Sequence, residues 1–152
     1  MPETPVPGYG WKIYQNSGTY ASPVWELITG TRDITVPFTA DELDDSSRDS
    51  RYKKFLSGMI DLSVTFQMRY HSGNPDHTDL VTKFFGQTVF EIAVMDGDIA
   101  TSNNQGVRAY CQLFSSSLSL PLADNSIVDF TAKPAFFEEG GVEIDPSWYT
   151  VS

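Results

Sequence analysis

The residues best suited to chemistry are two histidines and two aspartates that lie within nine positions of one another. His71, Asp76, His77 and Asp79 all carry donor atoms that zinc accepts in proteins. However, an Asn-Pro pair stands just before Asp76, and this pair is typical of a helix start. We therefore interpret the group as polar side chains at a helix end, and we expect no metal and no cofactor.

Cys111 is the only cysteine, so the chain cannot form an internal disulfide. It lies within a run in which Val107, Ala109 and Leu113 alternate with polar residues, which favours a buried small hydrophobe over a nucleophile. The sequence has no nucleophile elbow, no phosphate-binding glycine loop and no CxxC pair. We predict that the protein is not an enzyme and has no catalytic residues.

Charged residues concentrate in a polar stretch over residues 39–54, with acidic residues first and basic residues second. We predict a long loop without regular structure, and loops of that length usually have a function. It is either a solvated loop or a contact in which the acidic part of one copy meets the basic part of another. The candidate subunit-interface residues are Asp41, Glu42, Asp44, Asp45, Arg48, Arg51, Lys53 and Lys54.

The bulk composition narrows the class of protein. The chain has 152 residues and a formal net charge of −10, which disfavours a conventional DNA-binding role because phosphates are bound by Lys and Arg. Aromatic residues make up 13% of the chain, which favours β structure. No apolar run approaches the ~18 residues of a membrane span, so we expect no membrane insertion.

The strongest secondary-structure signal is the alternation of residues 60–70. Ile60, Leu62, Val64, Phe66, Met68 and Tyr70 share one face of the predicted strand, and we expect them in the core. The last strand, around residues 128–132, alternates in the same way. The polar side chains on the opposite faces of these two strands are candidates to line the wall of a water-filled lumen: Asp61, Ser63, Thr65, Gln67, Arg69, Asp129 and Thr131.

The remaining patterns predict a single domain over residues 1–152. We expect short strands at 11–14, 24–28, 33–38 and 88–95, and a longer one from residue 107 with a bulge within 114–117. A helix of about ten residues starts at Asn74-Pro75 and ends at Gly86. The fold class is mainly β, an antiparallel β-sandwich or barrel of about seven strands with one short α-helix. Residues 1–10 form an extended arm, and residues 136–152 form a second arm that docks on this domain or on a neighbour.

Several motifs, taken in order, resemble the major tail tube proteins of long-tailed phages, the lambda-type family. The run TADELD at residues 39–44 is followed by Asp49-Ser50, and Gly58 and Asp61 precede the long strand. A helix start at residue 76 and a final hairpin over 106–134 complete the pattern. The resemblance covers roughly residues 25–135 and implies a tail-tube type of fold.

This resemblance implies that the protein forms rings of six copies that stack into a hollow tube. The partners would be further copies of itself, a tape-measure protein in the lumen, and tail terminator and baseplate or tip proteins. DNA would pass through to the host cell without specific binding, and an acidic wall would repel it. The protein would be located in the virion tail and assembled in the host cytoplasm. Residues 39–54 would be an assembly loop that is mobile in the monomer and becomes ordered on association.

Two alternatives remain open at the level of sequence. One is a tube subunit of a tail-like injection system that does not belong to a phage. The other is a monomeric β-sandwich that binds a ligand such as a carbohydrate through Trp11, Trp25 and Trp148. A binding module stays monomeric and melts at a higher temperature with its ligand, whereas a tube subunit polymerises.

Overall fold

The computed structural model describes residues 5, 7–120, 122 and 125–152. Part of the expected N-terminal arm, residues 1–4 and 6, and part of the connection after residue 120 lie outside the described residues. Gly8–Gly10 form a single 3-10 turn, and the helix α1 spans Pro75–Gly86. The strands of the described residues are β1 (Lys12–Asn16), β2 (Trp25–Leu27), β3 (Thr31–Thr35), β4 (Phe38–Asp44), β5 (Phe55–Leu62), β6 (Val64–Arg69), β7 (Phe90–Met95), β8 (Gln105–Ser119), β9 (Ile127–Pro134), β10 (Glu138–Glu139), β11 (Val142–Glu143) and β12 (Ser147–Thr150).

One antiparallel sheet organises the chain, in the order β2-β1-β7-β8-β9-β6-β3, with β12 paired to the start of β8. The fifteen-residue strand β8 has a register shift between Leu113 and Ser115, which leaves Phe114 without an opposite residue on β9. The predicted bulge is confirmed there. We call β2, β1, β7, β12 and the first half of β8 the β7 layer. The second half of β8 with β9, β6 and β3 forms the β6 layer.

The hydrophobic core lies between these two layers. Phe66 and Phe130 of the β6 layer stack with their ring centroids 5.4 Å apart, and they belong to the same cluster as Ile13 and Ile92 of the β7 layer. Helix α1 contributes Leu80, which is fully buried. The mainly β, antiparallel fold with one helix is therefore confirmed.

The alternating run at 60–70 is divided between two strands. Leu62, Val64, Phe66 and Met68 are buried as predicted, but Ile60 is 76% exposed and Tyr70 is also exposed. The chain returns to the main sheet only after Ser63. Among the described residues, β5 pairs with β4 alone and no element covers Ile60. Alternation identifies the apolar face of a strand but does not reveal how far the opposing layer extends.

The predicted assembly loop is mostly a hairpin. We expected residues 39–54 to lack regular structure, yet β4 pairs with β5 from Phe38 opposite Leu62 to Asp44 opposite Phe55. Only residues 45–54 connect the two strands. Gly58 permits the close approach, since a Cβ there would lie 2.9 Å from the Asp41 Cβ. The sequence did not predict β4 because both of its faces are exposed, so polar and apolar residues do not alternate along it.

Helix α1 begins at Pro75 and ends at Gly86, as predicted. The Asn74 side chain accepts a hydrogen bond from the Asp76 N–H at 3.0 Å, which satisfies one of the free donors of the first turn. Gly86 is the last helical residue, and the left-handed conformation falls on Gln87, with φ of 52°. The glycine therefore marks the helix end correctly, and the residue after it takes the left-handed conformation.

Gly106 gives the first testable prediction. A Cβ at this position would lie 1.9 Å from the Val94 carbonyl oxygen, because β8 passes directly against β7 there. Gly106→Ala should therefore lower the free energy of unfolding by about 1–3 kcal/mol, the usual cost of overpacking. Urea denaturation measures the change. Gly8→Ala is the matched control, since a Cβ there meets nothing within 4 Å; equal stability of the two variants would contradict this view of the β7–β8 contact.

Candidate functional site

Three members of the histidine and aspartate group around α1, namely His71, Asp76 and Asp79, serve local structure. His71 accepts a hydrogen bond from the Gly73 N–H in its own turn, at 3.2 Å. Asp76 accepts two hydrogen bonds from Thr29, which ties the helix start to the turn before β3. Asp79 forms an ion pair with Lys83 one helical turn later. Among the described residues, no group of three or more His, Cys, Asp and Glu side chains gathers in a way that could hold a metal ion.

Cys111 is completely buried in the core, in agreement with its interpretation as a small hydrophobe. Burial, together with the negative charge of Glu91, raises the pKa of the Cys111 thiol to about 12. The thiolate is the reactive form, so this thiol is inert at neutral pH.

A buried ion pair that the sequence analysis missed anchors the outer face of the β7 layer. The Arg108 Nε and a terminal nitrogen donate to the two carboxylate oxygens of Glu91 at 2.8 and 2.9 Å. Burial opposes the charge on Arg108, but the hydrogen bond and charge of Glu91 outweigh it, and the Arg108 pKa is raised. The sequence did contain a signal for this pair: each of two largely apolar stretches, residues 90–95 and 107–113, holds one charged residue.

The C-terminal segment packs against this ion pair. The Arg108 guanidinium lies 4.1 Å from the ring centroid of Tyr20 and 5.0 Å from that of Tyr149 on β12. The Phe137 ring stacks on Tyr110 at 3.8 Å between centroids. Together with the β12–β8 pairing, these contacts place the segment after residue 136 on its own domain. The outer face of the β7 layer is therefore covered.

The candidate subunit-interface residues all lie on the hairpin of β4 and β5, which projects from the domain. The acidic residues lie along β4 and at its end, and the four basic residues lie in the connection that follows. Every one of them is exposed, and no ion pair within the described residues joins the two groups. Asp44 accepts hydrogen bonds from the side chain and backbone of Ser46, which lower the pKa of its carboxyl.

The hairpin also exposes apolar side chains, which sequence reasoning did not identify. Met59 is 82% exposed, and five further residues leave about half or more of their surface in solvent. These exposed residues are Phe38, Leu43, Phe55, Leu56 and Ile60. Exposed apolar patches of this kind mark surfaces that bind another molecule.

Most of the candidate wall residues share the outer face of the β6 layer. Thr65, Thr131 and Ser115 form one row across three strands, and Gln67, Asp129 and Ser117 form the next. Arg69 lies at the end of β6, and Ser63 lies in the break before it. Asp61 does not belong to this face, because it lies on β5 opposite Thr39.

The charge of this face differs from the acidic wall we expected. Asp129 is accompanied by Arg69 and Lys133, so acidic and basic groups both occur among the hydroxyl and amide side chains. The C-terminal segment holds four acidic residues and no basic one, whereas the hairpin holds six acidic residues against four basic ones. Net charge alone did not reveal where the acidic groups are located.

The β6 layer has two free edges. β3 pairs only with β6, and β8 beyond Leu113 pairs only with β9, within the described residues. Each free edge presents backbone N–H and C=O groups that can pair with another strand.

Among the described residues, no helix is both long and apolar enough to cross a membrane.

Comparison with solved structures identifies the fold. The chain is similar to one from the tail of an empty gene transfer agent particle refined with C6 symmetry, with a TM-score of 0.67 and 19% identity over 85% of this chain and 93% of that one. It is similar to the SPP1 tail tube, with a TM-score of 0.73 and 10% identity over 96% and 80% of the two chains.

A third similar chain comes from the sheath–tube complex of an extracellular contractile injection system, with a TM-score of 0.67 and 12% identity over 98% and 94% of the two chains. No protein-family model and no curated protein sequence matches the chain. At these identities the likeness establishes the fold, and the chain has the fold of tail-tube proteins, as its sequence motifs predicted.

The buried ion pair gives a second prediction. Arg108→Met leaves the Glu91 carboxylate buried without its partner, which should lower the free energy of unfolding by about 3–5 kcal/mol. The Glu91→Gln/Arg108→Met double variant should lose less than the sum of the two single changes, because the partners act as a unit. Thermal and urea unfolding of all four proteins provide the cycle, and strictly additive losses would show that the pair is not coupled.

Proposed function

We propose that this protein is the structural, non-catalytic subunit of a hollow tail tube built from stacked rings of identical copies. The observation that carries the proposal is the pair of free edges on the β6 layer. Two unpaired strand edges on the same sheet leave backbone N–H and C=O groups free to pair with further copies, edge to edge.

The directions of the edge strands are compatible with such a ring. All pairs in the series β8, β9, β6 and β3 are antiparallel, so β3 of one copy can continue the alternation against β8 of the next. This contact joins two different surfaces, and it therefore generates a closed ring when the rotation between copies closes. The similar gene transfer agent tail was refined with C6 symmetry, which supports six copies.

Simple geometry gives the size of this ring. Four strands from each of six copies make twenty-four strands, and a spacing of about 4.8 Å gives a circumference of about 115 Å and a backbone diameter of about 37 Å. Strand tilt widens the ring further. The inner surface must be the polar face of the β6 layer, because the β7 layer and α1 cover the other face.

The lumen wall would then carry Ser63, Thr65, Gln67, Arg69, Asp129 and Thr131. Its hydroxyl and amide groups, with scattered charges of both signs, offer no cluster of basic residues to hold phosphates. Such a wall suits the passage of DNA without retention. A tape-measure protein in the lumen during assembly follows from the resemblance to phage tail tubes.

The hairpin of β4 and β5 would contact copies in the same ring or the adjacent one. Its acidic strand and basic connection form no ion pair with each other within the described residues, so the acidic part of one copy can face the basic part of another. Its apolar side chains become buried at the same contact. We expect residues 45–54 to be mobile in the monomer and to become ordered in the tube, with hydrogen exchange as the test.

The setting we propose is the tail of a phage-like particle assembled in the host cytoplasm, with terminator and baseplate or tip proteins at the two ends. Similar chains occur in structures of a sheath and tube terminator and of an anti-feeding prophage baseplate. A tube subunit of a tail-like injection system is the second candidate, supported by the likeness to the sheath–tube complex. The carbohydrate-binding alternative is weaker, because Trp25 packs beside Tyr149 while Trp11 and Trp148 line a different surface.

Negative-stain electron microscopy of the purified protein tests the proposal. Concentrated, incubated samples should contain rings or hollow tubes that are absent from fresh, dilute samples. A protein that remains monomeric at every concentration, also in the presence of tail tip proteins, would contradict it.

The hairpin gives a third prediction. Met59→Ser/Ile60→Ser removes two exposed apolar side chains whose burial on assembly contributes about 3 kcal/mol or more. The concentration at which polymer appears should therefore rise at least about tenfold, as measured by light scattering. The conservative double variant Met59→Leu/Ile60→Val should assemble like the native protein. Unchanged assembly of the serine variant would exclude this part of the hairpin from the contact.

A further inference from the structure

The side of the sandwich next to β3 is open. A groove of about 1130 Å³ lies between β2 and β3, where the β7 and β6 layers are not joined by a strand. Its walls include Leu27, Ile28 and Ile34, and its floor includes Val94 and Val107 from the core. The groove therefore runs along the edge of the hydrophobic core, where Ile28, Val94 and Val107 remain buried.

The opposite side of the β6 layer has the complementary feature. Leu118 is 60% exposed although its partner across the ladder, Val128, is fully buried in the core. Side chains directly opposite one another lie on the same face of a sheet. Leu118 therefore points to the core side, but among the described residues no strand pairs with β8 along its free edge there. Leu120, 70% exposed, follows two residues later.

The register of the sheet relates these two sides. Leu118 pairs with Val128, Val128 pairs with Met68, and Met68 pairs with Thr31. Leu118 at one edge is thus level with Thr31 at the other, and Thr31 lines the groove. When β8 of one copy pairs with β3 of the next in a register that continues the sheet, Leu118 and the following Leu120 come to lie at the mouth of the neighbour's groove.

We propose that the groove receives Leu118 and Leu120 of the adjacent copy, so that each subunit completes its core with side chains of its neighbour. The inference rests on the proposed tube function and specifies the contact that closes the ring. A second copy is the occupant that fits, because the edge pairing, the apolar character and the level of the leucines all agree. Burial of these side chains would add a hydrophobic contribution to backbone pairing that is otherwise sequence-independent.

Disulfide cross-linking in assembled rings tests the seating. A Leu118→Cys or Leu120→Cys copy is mixed with a Trp11→Cys copy, since Trp11 lines the groove and packs against the core cluster. A second mixture reports edge pairing alone, on the polar face: Thr35→Cys with Ser115→Cys or Ser117→Cys. Native Cys111 is fully buried and contributes no background, which the unmodified protein verifies.

The outcomes separate the two proposals. Dimer bands in both mixtures support the groove contact. A dimer band only in the polar-face mixture leaves the edge-to-edge ring intact and overturns the groove contact. Rings without a band in either mixture overturn both the groove contact and the edge pairing, while the hollow tube itself remains. The absence of any ring would overturn the proposed function as well.

A pair of variants provides the second readout. Leu118→Ser/Leu120→Ser should abolish rings at concentrations where the native protein assembles, with an unchanged melting temperature of the monomer. Leu122→Ser is the matched control, because Leu122 is fully exposed and lies three residues beyond the end of β8, whereas Leu120 follows that end directly. Ring formation by the double serine variant at the native concentration would overturn the inference.

Discussion

Backbone hydrogen bonding along β8 is the constraint on which the rest of the structure depends. The strand supplies the donors and acceptors that hold β7 and β12 at its start and β9 at its end. A sheet that folds over along one shared strand is closed on that side and open on the other. Both the sandwich and its unpaired edges therefore follow from the bulge at Phe114. Unpaired backbone groups at an edge are a liability for a monomer and a means of association for an assembly.

One part of the molecule is covered and tightly packed, whereas another part of the described chain has exposed faces and strand edges without hydrogen-bond partners. The β7 layer is buried on both faces, by the core on one side and by the C-terminal segment on the other, and the Glu91–Arg108 pair fixes that covering in place. The β6 layer is buried on one face only, and the hairpin of β4 and β5 is exposed on both. The covered elements account for the stability of the domain, and under our proposal the exposed elements mediate association.

The sequence predicted those features that depend on local pattern. Alternation placed Val64, Phe66 and Met68 in the core, and the Asn-Pro pair located the start of α1. Motifs in order predicted the tail-tube fold, although the identity to the similar solved chains is only 10–19%.

Features that depend on long-range pairing could not be predicted. The hairpin was mistaken for a loop because its strands are exposed, so that their polar residues carry no amphipathic pattern. The partnership of Glu91 with Arg108 requires the register of β7 against β8, which no local pattern contains. The groove and the position of Leu118 likewise arise from the folding of the sheet as a whole.

The central claim is that the free edges of the β6 layer join identical copies into a closed ring of strands. Cryo-electron microscopy of the assembled protein at a resolution that traces the backbone tests it most directly. The account predicts β3 of each copy hydrogen-bonded antiparallel to the second half of β8 of the next, with Thr65, Gln67 and Thr131 facing the lumen. Subunits joined through other elements, with either strand edge left free in the assembly, would contradict it.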